Sequence, residues 1–124
     1  MNLKKYDQES ILIVLNDPPY GTERSYNGLR LALSLSKRDG IQLKVFLMGD
    51  AVGCGKSAQN TPHGYYNLER MRKALATSGV LIGACGSCLD ARGISDQDLI
   101  SGVHRSSMDE MTEWTIESKR AIVF

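Results

Sequence analysis

Apolar runs and amphipathic stretches alternate along the chain. ILIVL (11–15) is a continuous, β-rich apolar run that ends before Asp17-Pro18-Pro19, where proline stops a strand. From Thr22 to about Arg38, Tyr26, Leu29, Ala32, Leu33 and Leu35 recur at helical spacing, and Gly40 supplies a C-terminal stop. LKVFLM (43–48) predicts a second strand, followed by a glycine-rich stretch, GDAVGCGKSAQNTPHG, read as a flexible loop to residue 64. Leu68, Met71 and Leu75 mark one face of a helix over about 65–78, closed by Gly79, and VLIGA (80–84) is a third buried strand.

The last third is shorter in its elements and more polar. Ser95 stands three residues before Asp98, which predicts a helical turn over 96–101. A fourth strand fits 102–106, Ser107 and Glu110 form a capping box for a helix to about Ser118, and RAIVF (120–124) is a fifth strand. This order predicts a single-domain, three-layer α/β fold over 1–124, with a five-stranded, mostly parallel sheet and helices on both faces.

With 124 residues, 42% of them hydrophobic, the chain suits one domain that folds without disulfides or a structural metal. Fifteen Lys and Arg against fourteen Asp and Glu leave a charge of +1, so nucleic acid and anionic membranes are not expected partners. No run approaches the ~18 apolar residues of a membrane helix. MNLKKYDQES lacks the apolar core of a signal peptide, and three cysteines, an odd number, fit a reducing compartment. A cytoplasmic protein is expected.

In an open parallel sheet, chemistry gathers beyond the carboxyl ends of the strands. DPPYGTERS, GDAVGCGKSAQ and CGSCLDARG all fall there. Gly55-Lys56-Ser57 has the tail of a phosphate-binding loop, but that motif needs a glycine at position 50, which is Asp. A GxGxxG is absent too, and no nucleotide cofactor is expected.

ACGSCLDARG carries the strongest chemistry. Cys85 follows the third strand and opens a short helix through Ser87, Leu89 and Ala91, where free backbone N–H groups favour a thiolate. Cys88 lies one turn on, and Arg92 adds positive charge if it folds back. The bland alternative is a pair of small buried residues, since free cysteine often packs inertly. Four chemistries compete. Zinc wants paired ligands, and one C-x-x-C with an isolated Cys54 and unpaired His63 and His104 is half a site, so no metal is expected. A redox dithiol suits the strand-to-helix position but lacks the usual Trp and Pro flanks. A hydrolase needs a base, and His104 sits on a strand where a structural role is expected. Persulfide carriage needs only a reachable, acidic thiol and a docking surface.

Other residues near the rim have weaker claims. Asp17, Tyr20 and Glu23 after strand one, and Gly53 and Cys54 after strand two, are candidates to wall a pocket with Arg92. Asp-Pro turn chemistry and an acid at a helix start explain Asp17 and Glu23 equally well. Tyr65, Tyr66 and Trp114 fit packing or subunit contacts, and Asp90 and Arg92 a local pair or cap.

ILIVLNDPPYGTERSYNGLRLAL, the MGDAV turn, GYYNLERM and CGSCLDARGI together resemble the DsrE/DsrF-like sulfur-relay family, over essentially the whole chain. The resemblance implies a small α/β protein assembling as a homotrimer or homohexamer. Some members carry sulfur as a cysteine persulfide, passing it between donor and acceptor proteins. The family's sulfur-accepting cysteine follows the third strand and precedes an Arg-Gly, which matches Cys85, eight residues before Gly93. Cys88 is additional to that single-cysteine pattern and is expected either to resolve or tune the persulfide or to be structural. No role is carried onto Cys54.

Overall fold

β1 (Glu9–Leu15) is buried at every position from Ile11 to Leu15. A strand hidden on both faces needs covering layers above and below it, and the rest of the chain supplies them. The computed structural model describes residues 8–59 and 68–124. Its elements are β1, α1 (Arg24–Ser36), β2 (Ile41–Leu47), α2 (Leu68–Thr77), β3 (Leu81–Cys85), α3 (Gly86–Ala91), β4 (Val103–Ser106), α4 (Met108–Glu117) and β5 (Arg120–Val123). His63, Tyr65, Tyr66 and the expected start of the second helix lie outside the described residues.

The sheet has five strands in the order β4-β3-β2-β1-β5, and every neighbouring pair is parallel. The expected five-stranded α/β architecture is therefore present, with a sheet that is wholly parallel among the described residues. Side chains alternate between the two faces. On one face α1 and α2 pack together, with Leu29, Ala32 and Leu75 buried. On the other, Trp114 of α4 meets the edge of Phe46 at 6.1 Å between ring centroids. Phe46 is in register with Val14 and with Gly83, so these three share the α4 face. Cys85 follows two positions after Gly83 and starts from that same face. No described helix is long and apolar enough to cross a membrane.

Three local expectations change. The glycine-rich stretch after β2 is no open loop: Gly49–Gly55 winds into a 3₁₀ segment, with Ala51, Val52, Cys54 and Gly55 buried. Small residues make this close packing feasible. A Cβ on Gly55 would sit 3.0 Å from a Val103 methyl, so the backbone there lies tight against β4. The turn expected over 96–101 is shorter, a 3₁₀ turn at Asp96–Asp98 with its Ser95–Asp98 capping box complete. At α4, Ser107 accepts from the Glu110 backbone as expected, at 3.2 Å. The Glu110 carboxylate instead accepts from Ser106 and pairs with His104, so His104 has a structural partner on the strand where it was expected.

Leu12 is fully buried in β1 and faces α4 by its alternation with Ile13. Leu12→Ala should lower unfolding free energy by about 2–5 kcal/mol, read as an earlier urea midpoint with an unchanged slope.

Candidate functional site at the carboxyl rim of the sheet

β3 ends on Cys85 and α3 begins at the next residue. The strand delivers the thiol to the rim, and the change from extended to helical backbone turns the N–H groups of Ser87 and Cys88 toward it. α3 has only six residues, so individual hydrogen bonds, rather than a long aligned dipole, act on the sulfur. Cys85 Sγ lies 3.3 Å from Ser87 Oγ. Burial pushes this thiol's pKa up. Hydrogen bonds from the Cys88 and Ser87 side chains, and from their backbone N–H groups, outweigh it, and the net direction is down. Cys85 is buried, at 8% exposed, where the sequence predicts a reachable thiol; Cys88, half-buried, is the more open of the two to solvent.

Cys88 is held from the neighbouring strand's turn. The Gly49 N–H donates to its Sγ at 3.2 Å. Burial and proton sharing with Cys85 push the Cys88 thiol up, while the Gly49 N–H and the Arg92 charge pull the other way. The two thiols are thus pushed in opposite directions, Cys85 down and Cys88 up.

A clamp fixes α3 against the 3₁₀ segment. Arg92 donates from Nε (3.0 Å) and Nη2 (2.7 Å) to Asp50 Oδ1, and from Nη1 to the Cys88 carbonyl at 3.1 Å. The helix stops where it must for this to happen. Ile94 N–H reaches the Leu89 carbonyl and Gly93 N–H the Asp90 carbonyl, with Gly93 at φ +66°, a left-handed cap that glycine adopts without strain. On the far side, Arg105 of β4 binds the Gly86 carbonyl, Asp90 and Asp96.

Of the remaining expected rim residues, Asp17 and Cys54 meet at a second point. Asp17 accepts from Thr22 Oγ1 at 2.8 Å, and its carbonyl accepts from Ser25 Oγ at 2.7 Å and, at 3.9 Å, from Cys54 Sγ. Tyr20 packs half-buried against the core. Glu23 is exposed and precedes α1 without a side-chain cap bond. Gly53 lies under Pro19, with 3.3 Å left for a Cβ. Cys54 is fully buried, and burial pushes its thiol from 9.0 up to about 11 despite the nearby Arg72 charge and a hydrogen bond with Ser25. The rim therefore carries two separate thiol environments, Cys85 with Cys88 and Arg92, and Cys54 with Asp17. No group of three or more His, Cys, Asp or Glu among the described residues is placed to hold a metal.

The DsrE/DsrF-like family model matches residues 9–124. The chain belongs to the DsrE/DsrF-like family. Protein YchN of Escherichia coli is 38% identical over 117 residues, spanning 94% of this chain and 99% of that protein. An uncharacterized protein of Methanopyrus kandleri is 38% identical over 114 residues, spanning 92% of this chain and 93% of its own length. The crystal structure of YchN superposes with a TM-score of 0.89 at 37% identity, covering 94% of this chain and all of that one. A protein of unknown function from Methanobacterium thermoautotrophicum shares the fold, with a TM-score of 0.73 at 16% identity.

Within this DsrE/DsrF-like chain, sequence reasoning passed over Gly49, Asp50 and Ser87. Ser87 stood inside the quoted motif. Asp50 registered only as a mismatch to a phosphate loop, although an acid at the end of β2 and a base after α3 face one another in a parallel sheet. The backbone donor at Gly49 has no side-chain signature.

Cys54 gives a pH signature. Its folded-state pKa lies above the unfolded thiol value, so the folded protein keeps a proton there that the unfolded chain releases. Stability should fall as pH rises from about 9 to about 11, by about 3 kcal/mol in all. Urea unfolding across that range should show the decline in wild type and a flatter curve in Cys54→Ala.

Proposed function

We propose that this protein is a sulfur carrier that accepts sulfane sulfur on Cys85 as a persulfide and relays it to a partner thiol. The observation that carries this reading is the Cys85 thiol at the end of β3, 3.3 Å from Ser87 Oγ and one turn before a second thiol, with hydrogen bonding that favours its thiolate. The Cys85 thiolate attacks the outer sulfur of a donor persulfide; the donor's sulfur–sulfur bond breaks, and the donor leaves as a thiolate. The acceptor thiolate then attacks the outer sulfur on Cys85, and Cys85 leaves as the thiolate it began as. No external oxidant or reductant enters either step.

Such a carrier needs thiols that stay reduced, which places it in the cytoplasm, and its partners are donor and acceptor proteins rather than nucleic acid or membrane. It acts in this reading as a homotrimer or homohexamer. Met108, Ile116 and Val123 are exposed apolar residues available for subunit contacts, with Ile116 78% exposed. Sedimentation should show an assembly larger than one chain, and Ile116→Lys should shift it toward smaller species.

Wild type quenched soon after mixing with a labelled persulfide donor should carry up to one sulfur per chain, mapped to the Cys85 peptide. Cys85→Ser should lose at least about nine-tenths of that uptake while keeping its circular dichroism. Uptake by Cys85→Ser at the wild-type level would remove the assignment.

A further inference from the structure

Resting on the carrier reading, we infer that Cys88 is a resolving thiol: it attacks the loaded Cys85 and discharges the carried sulfur as sulfide when no acceptor is docked. The geometry is specific to this pair. Cys88 stands three residues after Cys85, so the two side chains sit on one side of α3's first turn. Its sulfur is not left to rotate freely, because the Gly49 N–H holds it at 3.2 Å. Two adjacent residues of the 3₁₀ segment, Gly49 and Asp50, grip Cys88 of α3 and Arg92, the residue just past its end. Arg92 also binds the Cys88 carbonyl, which closes the grip. Gly49 has φ +58°, the left-handed conformation in which its N–H is set. Cys54 offers no equivalent, since its sulfur is enclosed near Asp17 and Ser25.

The chemistry closes on itself. The Cys88 thiolate attacks the inner sulfur, Cys85 Sγ, and forms the Cys85–Cys88 disulfide. The bond between Cys85 Sγ and the outer sulfur breaks, and the outer sulfur leaves with the electron pair as hydrosulfide, which takes the proton that Cys88 gave up. The two cysteines are oxidised by two electrons, and the carried sulfur is reduced by the same two. A dithiol reductant then restores both thiols.

The electrostatics run in the needed direction. In the unloaded protein the charge on Cys85 opposes a second negative charge on Cys88. Loading moves charge outward to the terminal sulfur, and the Gly49 N–H and Arg92 then favour a thiolate at Cys88.

The test follows discharge rather than uptake. Wild type and Cys88→Ser are loaded anaerobically with a small-molecule persulfide, freed of excess reagent, and then timed without acceptor. Wild type should release one sulfide per chain and end as a Cys85–Cys88 disulfide by peptide mass mapping. Cys88→Ser should keep the added sulfur on Cys85 and release sulfide at least about tenfold more slowly. Discharge in wild type should also quicken as pH rises, as a thiolate nucleophile requires. Wild type that holds its sulfur as long as Cys88→Ser, or that forms a disulfide through Cys54, overturns the inference and leaves the carrier reading standing. Failure of wild type to load at all removes the carrier reading and this inference with it.

Discussion

Parallel pairing of β1, β2 and β3 obliges three chain reversals to begin on the same rim of the sheet. The register joins Leu15 to Leu47 and Leu47 to Ala84, so the segments beyond these residues leave the sheet side by side. Each must then satisfy its backbone without disturbing a strand that is buried on both faces. The chain solves this differently at each strand: a Pro-containing turn after β1, a buried 3₁₀ segment after β2, and a direct entry into α3 after β3. The thiol pair owes its partners to that crowding. Gly49 reaches Cys88 because the β2 reversal lies beside the β3 reversal, a contact between residues 39 apart in sequence.

Three identical functional groups on this rim carry three different proton affinities. Cys54 is enclosed, and burial pushes its thiol up to about 11, against the charged form. Near Cys85 the same penalty is present but smaller than the sum of four hydrogen bonds to the thiolate. Cys88 stays the protonated partner because one negative charge already occupies the site. What separates a reactive thiol from an inert one here is the supply of N–H, O–H and S–H donors, since neither Cys85 nor Cys54 is broadly open to water. The Arg92–Asp50 pair is too exposed to contribute much stability alone, with side chains 36% and 62% exposed. Its consequence is geometric: it fixes the helix that carries both members of the dithiol.

Much of this architecture can be read from sequence because both periodicities are clean. ILIVL and VLIGA are short apolar runs bounded by turn residues, and the helices between them repeat at helical spacing. The DsrE/DsrF-like resemblance rests on four segments taken together, CGSCLDARGI foremost, in their order and spacing along the chain. The rest depended on contacts between distant segments. Glycine content after β2 suggested flexibility, yet Gly55 is needed for close approach to Val103. The Ser107–Glu110 pattern was half right, because Ser106 and His104 compete for the Glu110 carboxylate. Cys54 shared a rim with Cys85 in the linear reading, and only packing shows that its sulfur belongs with Asp17 and Ser25.

A resolving thiol beside a carrier thiol sets up a contest of rates, and the geometry bears on which side wins. A thiol tethered within one helical turn acts at an effective concentration of the order of millimolar or more, whereas a partner protein arrives at far lower concentration. Left unrestrained, Cys88 would empty the carrier before most acceptors could dock. Attack on Cys85 Sγ also requires Cys88 to approach in line with the sulfur–sulfur bond. An acceptor that covers the rim would further leave the outer sulfur as the accessible target. Carriage and discharge are then two outcomes of one site, separated by whether a partner occupies the surface around Cys85 while α3 holds Cys88 in place.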